Sequence, residues 1–156
     1  MKKRFILAVD PGKLSGVCLF SIETGHEPEL LWSGEYDESN FAVPVREAIM
    51  EADLGGSVLE VACERFTITA QTAKNSQAPY SLEQIGVLKH LIRESNGTAS
   101  PIVYQGPVDA KRLFPNDALK KLDYWHRGGE GHALDAIRHG LLYLAKHGWT
   151  PRRLLQ

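Results

Sequence analysis

The stretch Phe5-Ile-Leu-Ala-Val-Asp10-Pro-Gly-Lys-Leu-Ser-Gly16-Val-Cys-Leu-Phe20 limits the possible folds more than any other part of this chain. Its first arm is apolar without alternation, the pattern of a strand covered on both faces. Pro11 and Gly12 turn the chain, Gly16 leaves room for a close backbone approach, and Val17 to Phe20 return beside the first arm as a hairpin. Asp10 therefore stands at the carboxyl end of a central strand, the edge at which open α/β sheets carry their chemistry. An Asp before Pro-Gly is also an ordinary turn residue, so Asp10 decides nothing alone. Two further acids bear on it: Glu64, which ends the run Val58-Leu-Glu-Val-Ala-Cys63, and Asp135, in Gly131-His-Ala-Leu-Asp-Ala-Ile-Arg-His139 at the start of an apolar helical segment.

With 156 residues, 43% of them apolar, the chain has the size and composition of one folded domain, expected over residues 1–148 with a tail at 149–156. The apolar run before Asp10 is too short for a signal peptide or a membrane span, so a soluble, intracellular protein is expected. Cys18 and Cys63 both fall inside strand patterns and read as buried thiols, which argues against a disulfide or a thiolate metal centre. The formal net charge of −1 hides an asymmetry. Residues 1–60 carry 5 Lys or Arg against 11 Asp or Glu, net −6, and residues 61–156 carry 13 against 8, net +5. A local basic footprint for nucleic acid is thus compatible with a nearly neutral chain, although scattered Lys and Arg also suit a plain solvated surface.

Leu30, Leu31 and Trp32 begin a third strand that fades into Ser33-Gly34-Glu35-Tyr36, completing an antiparallel meander. From Phe41 to Leu54, apolar residues recur at helical spacing, with Asp37 to Asn40 available to cap the start and Gly55-Gly56 to stop it. This helix is a crossover, so the strand over residues 58–63 can run parallel to the first and bring Glu64 beside Asp10. Phe66 to Ala78, with Lys74 and Asn75, reads as a loop or an irregular helical entrance at the active edge. Ser81 to Arg93 is a helix that Ser81 can cap, with a broad apolar surface either spent wholly on the sheet or in excess of it and able to bury against a second subunit. A last strand over Pro101–Gln105, a short helix with Lys111 and Arg112 ended by Pro115, a segment capped by Asn116, and a helix from His132 to His147 complete the chain.

This element order resembles the ribonuclease H-like fold, an α/β architecture with a mixed five-stranded sheet and flanking helices. Asp10, Glu64 and the pair His132/Asp135, three apart on one helix and so on one face, can converge at one sheet edge. Hard oxygen ligands in such a cluster suit Mg²⁺ or Mn²⁺, which would offset the repulsion among the acids. For phosphodiester hydrolysis, one ion activates water and a second, about 4 Å away, stabilises the leaving oxygen. Asp10 would bridge two ions in each active site, with Glu64 and Asp135 holding opposite ones. His132 can ligate metal, position water, or merely occupy a helix start.

The three motifs Phe5-Ile-Leu-Ala-Val-Asp10-Pro-Gly, Ala62-Cys-Glu64-Arg-Phe66 and His132-Ala-Leu-Asp135-Ala, in this order and spread over almost the whole chain, resemble those of RuvC-type Holliday-junction resolvases. Within that family the chain is similar to the small resolvases of mycobacteriophages, which implies action in the cytoplasm of a host bacterium. The resemblance implies a homodimeric endodeoxyribonuclease that cuts Holliday junctions, with forks and flaps as further candidate substrates and Asp10, Glu64, His132 and Asp135 as catalytic and metal-binding residues. Some members have Asp where this chain has His132; His is also a family form. Phe66 matches approximately the aromatic that stacks at the opened junction, the helix over Ser81–Arg93 matches the dimer interface, and Lys111 and Arg112 resemble the basic segment after the last strand. With Lys74, these make up the expected DNA contacts. Two other classes remain open: an actin-like-fold nucleotide phosphotransferase, suggested only by Asp10-Pro-Gly12, and a branched-DNA-binding dimer without catalysis. The first lacks a second phosphate-binding half, and the second leaves the acids unexplained.

Overall fold

The computed structural model describes residues 3–74 and 78–155, so Asn75 lies outside the described residues. Five strands, β1 (Arg4–Asp10), β2 (Leu14–Ile22), β3 (Glu29–Asp37), β4 (Leu59–Glu64) and β5 (Ala99–Gln105), form one sheet in the order β3-β2-β1-β4-β5. The first three make the antiparallel meander, and β4 and β5 run parallel to β1. The helices are α1 (Ala42–Leu54), α2 (Ala78–Glu94), α3 (Pro107–Leu113), α4 (Asn116–Lys121) and α5 (His132–Lys146). The mixed five-stranded sheet flanked by helices is the architecture expected from the element order.

Strand alternation divides the core into two layers. Phe5, Leu7 and Val9 join Leu59, Val61 and Cys63 beneath α1 and α2, while Ile6 and Ala8 join Cys18, Phe20 and Ala62 beneath α5. Asp10 and Glu64 continue the second series and so belong to the α5 side of the sheet. The register then defines a row across it. Asp10 pairs with Gly16 and Gly16 with Glu35. Val9 pairs with Cys63, so the next step sets Asp10 beside Glu64, and Glu64 pairs with Gln105. Glu35, Gly16, Asp10, Glu64 and Gln105 thus line one edge.

α5 lies close over this row because two glycines remove side chains from its path. A Cβ on Gly16 would stand 1.8 Å from the carbonyl oxygen of His132, and one on Gly140 would stand 2.6 Å from the Phe20 ring.

Several elements differ from their sequence-based expectation. β3 does not fade after Trp32; pairing with β2 keeps it extended through Asp37 despite its polar composition. α2 starts at Ala78, so Ser81 is inside the helix, where its buried hydroxyl donates to the Pro11 carbonyl at 3.0 Å and ties α2 to the Asp10 turn. The Asn116 side chain accepts a hydrogen bond from Arg138, and Pro115 is the residue that precedes α4. The expected tail is packed: Trp149 and Leu154 join the second core layer, and Trp149 stacks on Phe114. On α2, Ile85, Leu88 and Leu91 are spent on the sheet, leaving Leu82 and Gly86 exposed.

Candidate active site

Each acid at this edge is turned toward a different partner. Asp10, buried at the end of β1, accepts a hydrogen bond at Oδ2 from His132 Nδ1 at 2.9 Å. Burial pushes its carboxyl above the ordinary range; the His132 bond works against that shift, and the nearby charges of Glu64 and Asp135 add to it. With Nδ1 donating, the neutral His132 ring carries its lone pair on Nε2. Its imidazolium is favoured by the Asp10 hydrogen bond first, against burial, with the charges of Asp10, Glu35 and Asp135 adding, so its pKa is raised.

Glu64 meets His139 rather than a cation: His139 Nε2 lies 2.9 Å from Glu64 Oε2. Asp135 has a cation on each oxygen. Arg138 Nη1 lies 2.6 Å from Oδ1 and Lys111 Nζ 3.0 Å from Oδ2. Arg138 is buried and fixed from two further sides, donating to the Phe114 carbonyl at 2.9 Å and to Asn116 Oδ1. Lys111 is 61% exposed and held only at its tip.

Glu35, at the far end of the row, orients the first turn of α5. Its carboxylate accepts from the backbone N–H groups of Glu130 (2.9 and 3.0 Å), His132 (2.8 Å) and Ala133 (3.4 Å). This supplies acceptors to the orphan donors at the helix start, where the capping residue is Gly131 in the left-handed region at φ 96° and offers no side chain. Burial alone would raise the Glu35 carboxyl; the backbone donors outweigh it and hold it below the usual range.

The structure therefore brings Asp10, Glu64, His132 and Asp135 to one edge, the first two from adjacent strands and the others from the first turn of α5. Lys111 joins them through Asp135. Arg112 is 80% exposed and pairs with Asp109 at 3.6 Å, and Lys74 is exposed at the end of a short 3₁₀ turn beyond β4. Phe66 is half-buried against the first core layer. Four participants escaped the sequence reading: Glu35, His139, Gln105 and Arg138. The signal for His139 was its spacing of seven residues from His132, two helical turns along the same face. Gln105 was readable as the polar end of a strand neighbouring Glu64.

Three carboxylates and an imidazole form a mostly oxygen donor set, which suits Mg²⁺ or Mn²⁺ in kind. Burial is the main reason the Asp10 carboxyl is raised; the repulsion that Glu64 and Asp135 add to it is the part such an ion would offset. As arranged, no group of three or more His, Cys, Asp or Glu among the described residues is close enough to hold an ion, because each acid faces its own partner. Shallow clefts open on both sides of His132. One is lined by Lys13, Leu14, Asp37 and Glu130, the other by Lys111, Pro115, Asn116 and Arg138. A cleft of about 530 Å³ between α1 and α2 lies on the other face of the sheet, away from the acids.

The sequence matches no protein-family model and no curated protein. Among solved structures, Thermus thermophilus RuvC in complex with a Holliday junction substrate superposes with a TM-score of 0.66 at 15% identity, over 92% of this chain and 96% of that one. A second T. thermophilus RuvC structure gives 0.62 at 17% identity, with the same coverage. The chain shares the fold of these two RuvC structures. The RuvC fold runs through nearly the whole length of both chains, so no large segment of either stands outside the likeness. Among the described residues, no helix is long and apolar enough to cross a membrane.

Proposed function

We propose that this chain is a metal-dependent, structure-selective endodeoxyribonuclease that cuts Holliday junctions and related branched DNA as a homodimer. The observation that carries the reading is the meeting of buried Asp10 with Glu64, His132 and Asp135 at one edge of a RuvC fold. Asp10, Glu64, His132 and Asp135 are the residues that would hold Mg²⁺ or Mn²⁺, two ions per active site. A divalent ion supplies activation of water and neutralisation of phosphate charge.

The chain's own residues do the rest. Asp10 offers its carboxylate from the most rigid strand and keeps His132 Nδ1 as a donor, which leaves Nε2 to ligate or to take a proton from the attacking water. Glu64 keeps Oε1 clear of His139. Lys111, exposed and paired only with Asp135, suits a phosphate oxygen, and Lys74 and Arg112 suit the flanking backbone; such contacts position DNA without reading bases. Stacking by Phe66 at an opened junction would require it to leave its core contact. Ile68, 64% exposed in the same loop, is a second apolar group available there. The exposed Leu82 and Gly86 of α2 supply a surface for the dimer. A mycobacteriophage origin, with the host cytoplasm as place of action, rests on the three sequence motifs alone.

A matched cleavage series with Mg²⁺ or Mn²⁺ tests this reading, comparing four-way junctions, forks, flaps and linear duplexes of one sequence. Faster cutting of branched DNA, abolished by chelation, is expected. Equal cutting of linear duplex rejects structure selectivity. ATP turnover without DNA cleavage favours a phosphotransferase, and junction binding without cutting favours a non-catalytic dimer.

A further inference from the structure

The row of strand-end residues does not stop at the acids. Beyond Glu64 it reaches Gln105, and above both lies His139, which is 1% exposed. The ring bridges them, with Nε2 2.9 Å from Glu64 Oε2 and Nδ1 2.9 Å from the Gln105 side chain. Its tautomer follows from Gln105. The amide faces the His139 carbonyl, which only accepts, and the Tyr143 N–H, which only donates. With its NH₂ toward the carbonyl at 3.0 Å and its oxygen toward Tyr143 N at 3.2 Å, the same NH₂ donates to His139 Nδ1. The proton of the neutral ring is then on Nε2, aimed at Glu64. Reversing the amide would set NH₂ against N–H and oxygen against oxygen.

We propose that His139 is a positioning residue for the divalent-metal site: locked as the Nε2–H tautomer by Gln105, it fixes one Glu64 oxygen and leaves the other to bind the ion. The inference rests on the proposed function, through Glu64 as a metal ligand. It gives a carboxylate on the last residue of a strand, 24% exposed and with no cation paired to it among the described residues, a fixed partner for one oxygen. A carboxylate oriented by a buried imidazole loses less freedom on binding a metal. Partners of this kind typically change metal affinity or activity about 10- to 100-fold when removed.

The test uses the full chain. Mn²⁺ binding is measured calorimetrically for the wild type and for His139→Leu, His139→Gln and Gln105→Met, with metal-free melting curves alongside. A long-range ¹H–¹⁵N spectrum of the wild type assigns the His139 tautomer. His139→Leu is expected to weaken Mn²⁺ binding about 10-fold or more. His139→Gln, whose amide can reproduce the Nε2–H donor, should recover most of that loss, and Gln105→Met should fall between. An Nδ1–H tautomer, or wild-type affinity in His139→Leu, overturns the positioning role even if substitution at this buried site also lowers the melting temperature. A wild-type chain that binds no Mn²⁺ overturns the proposed function itself, and the positioning role with it.

Discussion

Asp10 combines two opposed demands, since the proposed metal site needs a negative charge and burial penalises one. Its raised pKa means that the protonated form is favoured by folding, so this contribution to stability is present at low pH and is lost as pH rises through the folded-state value. Asp10→Asn should therefore abolish metal-dependent cleavage while melting no lower than the wild type at pH 8 without metal, and that margin should shrink as the pH is lowered. Normal cleavage, or a collapsed melting curve at pH 8, would remove Asp10 from this role. Asp135→Asn should behave differently, because it takes the anion away from buried Arg138 as well as from Lys111. A loss of about 2 kcal/mol in urea unfolding is expected, together with the loss of cleavage. The four acid and histidine positions were legible in the sequence because each ends a strand or opens a helix. Their partners were not. Whether Arg138 serves Asp135 or solvent, and whether His139 reaches Glu64, depends on how α5 lies over the strand ends, which no local pattern encodes.

At the scale of elements, the site depends on the docking of α5. Gly16→Ala would drive a methyl group into the His132 carbonyl, so the first turn of the helix must lift from β2. A cost of about 1–3 kcal/mol is expected in thermal or urea unfolding, with cleavage falling more steeply than stability because His132 moves away from Asp10. Glu35→Gln weakens the other fastening of that turn. At neutral pH it should cost about 1 kcal/mol, a modest figure for a partly exposed carboxylate that caps a helix. The Glu35 pKa is depressed, so its contribution is present above the unfolded value of about 4.3 and is lost as pH falls through the lower folded value. The stability gap between Glu35→Gln and the wild type should therefore close in acid; a gap that persists there would reject the cap. The strands and long helices were readable from periodicity and turn residues. The length of β3 was not, since its extension comes from pairing with β2, and Ser81 was mistaken for a cap because the tie to Pro11 is made across the fold.

At the scale of the whole molecule, the clefts beside the acids are shallow and lined by charged residues, an edge that suits a long polyanion better than a small nucleotide. Two such edges related by a two-fold axis would match a four-way junction, itself two-fold in form. Sedimentation at assay concentration should give the mass of two chains, and Leu82→Glu on the exposed side of α2 should yield monomers that cut junctions at least 10-fold more slowly. A fully active monomer would reject the pairing through α2. The path of the chain also sets a timetable. Asp10, Glu35 and Glu64 are all synthesised by residue 64, yet they find their partners only when residues 130–139 arrive. During translation the strands can assemble with their acids unpartnered, and the edge is completed only when the last long helix leaves the ribosome. A nascent chain halted short of that point would lack the helix that covers one face of the sheet and would hold none of the finished site, so the proposed capacity to cut DNA would appear late and all at once.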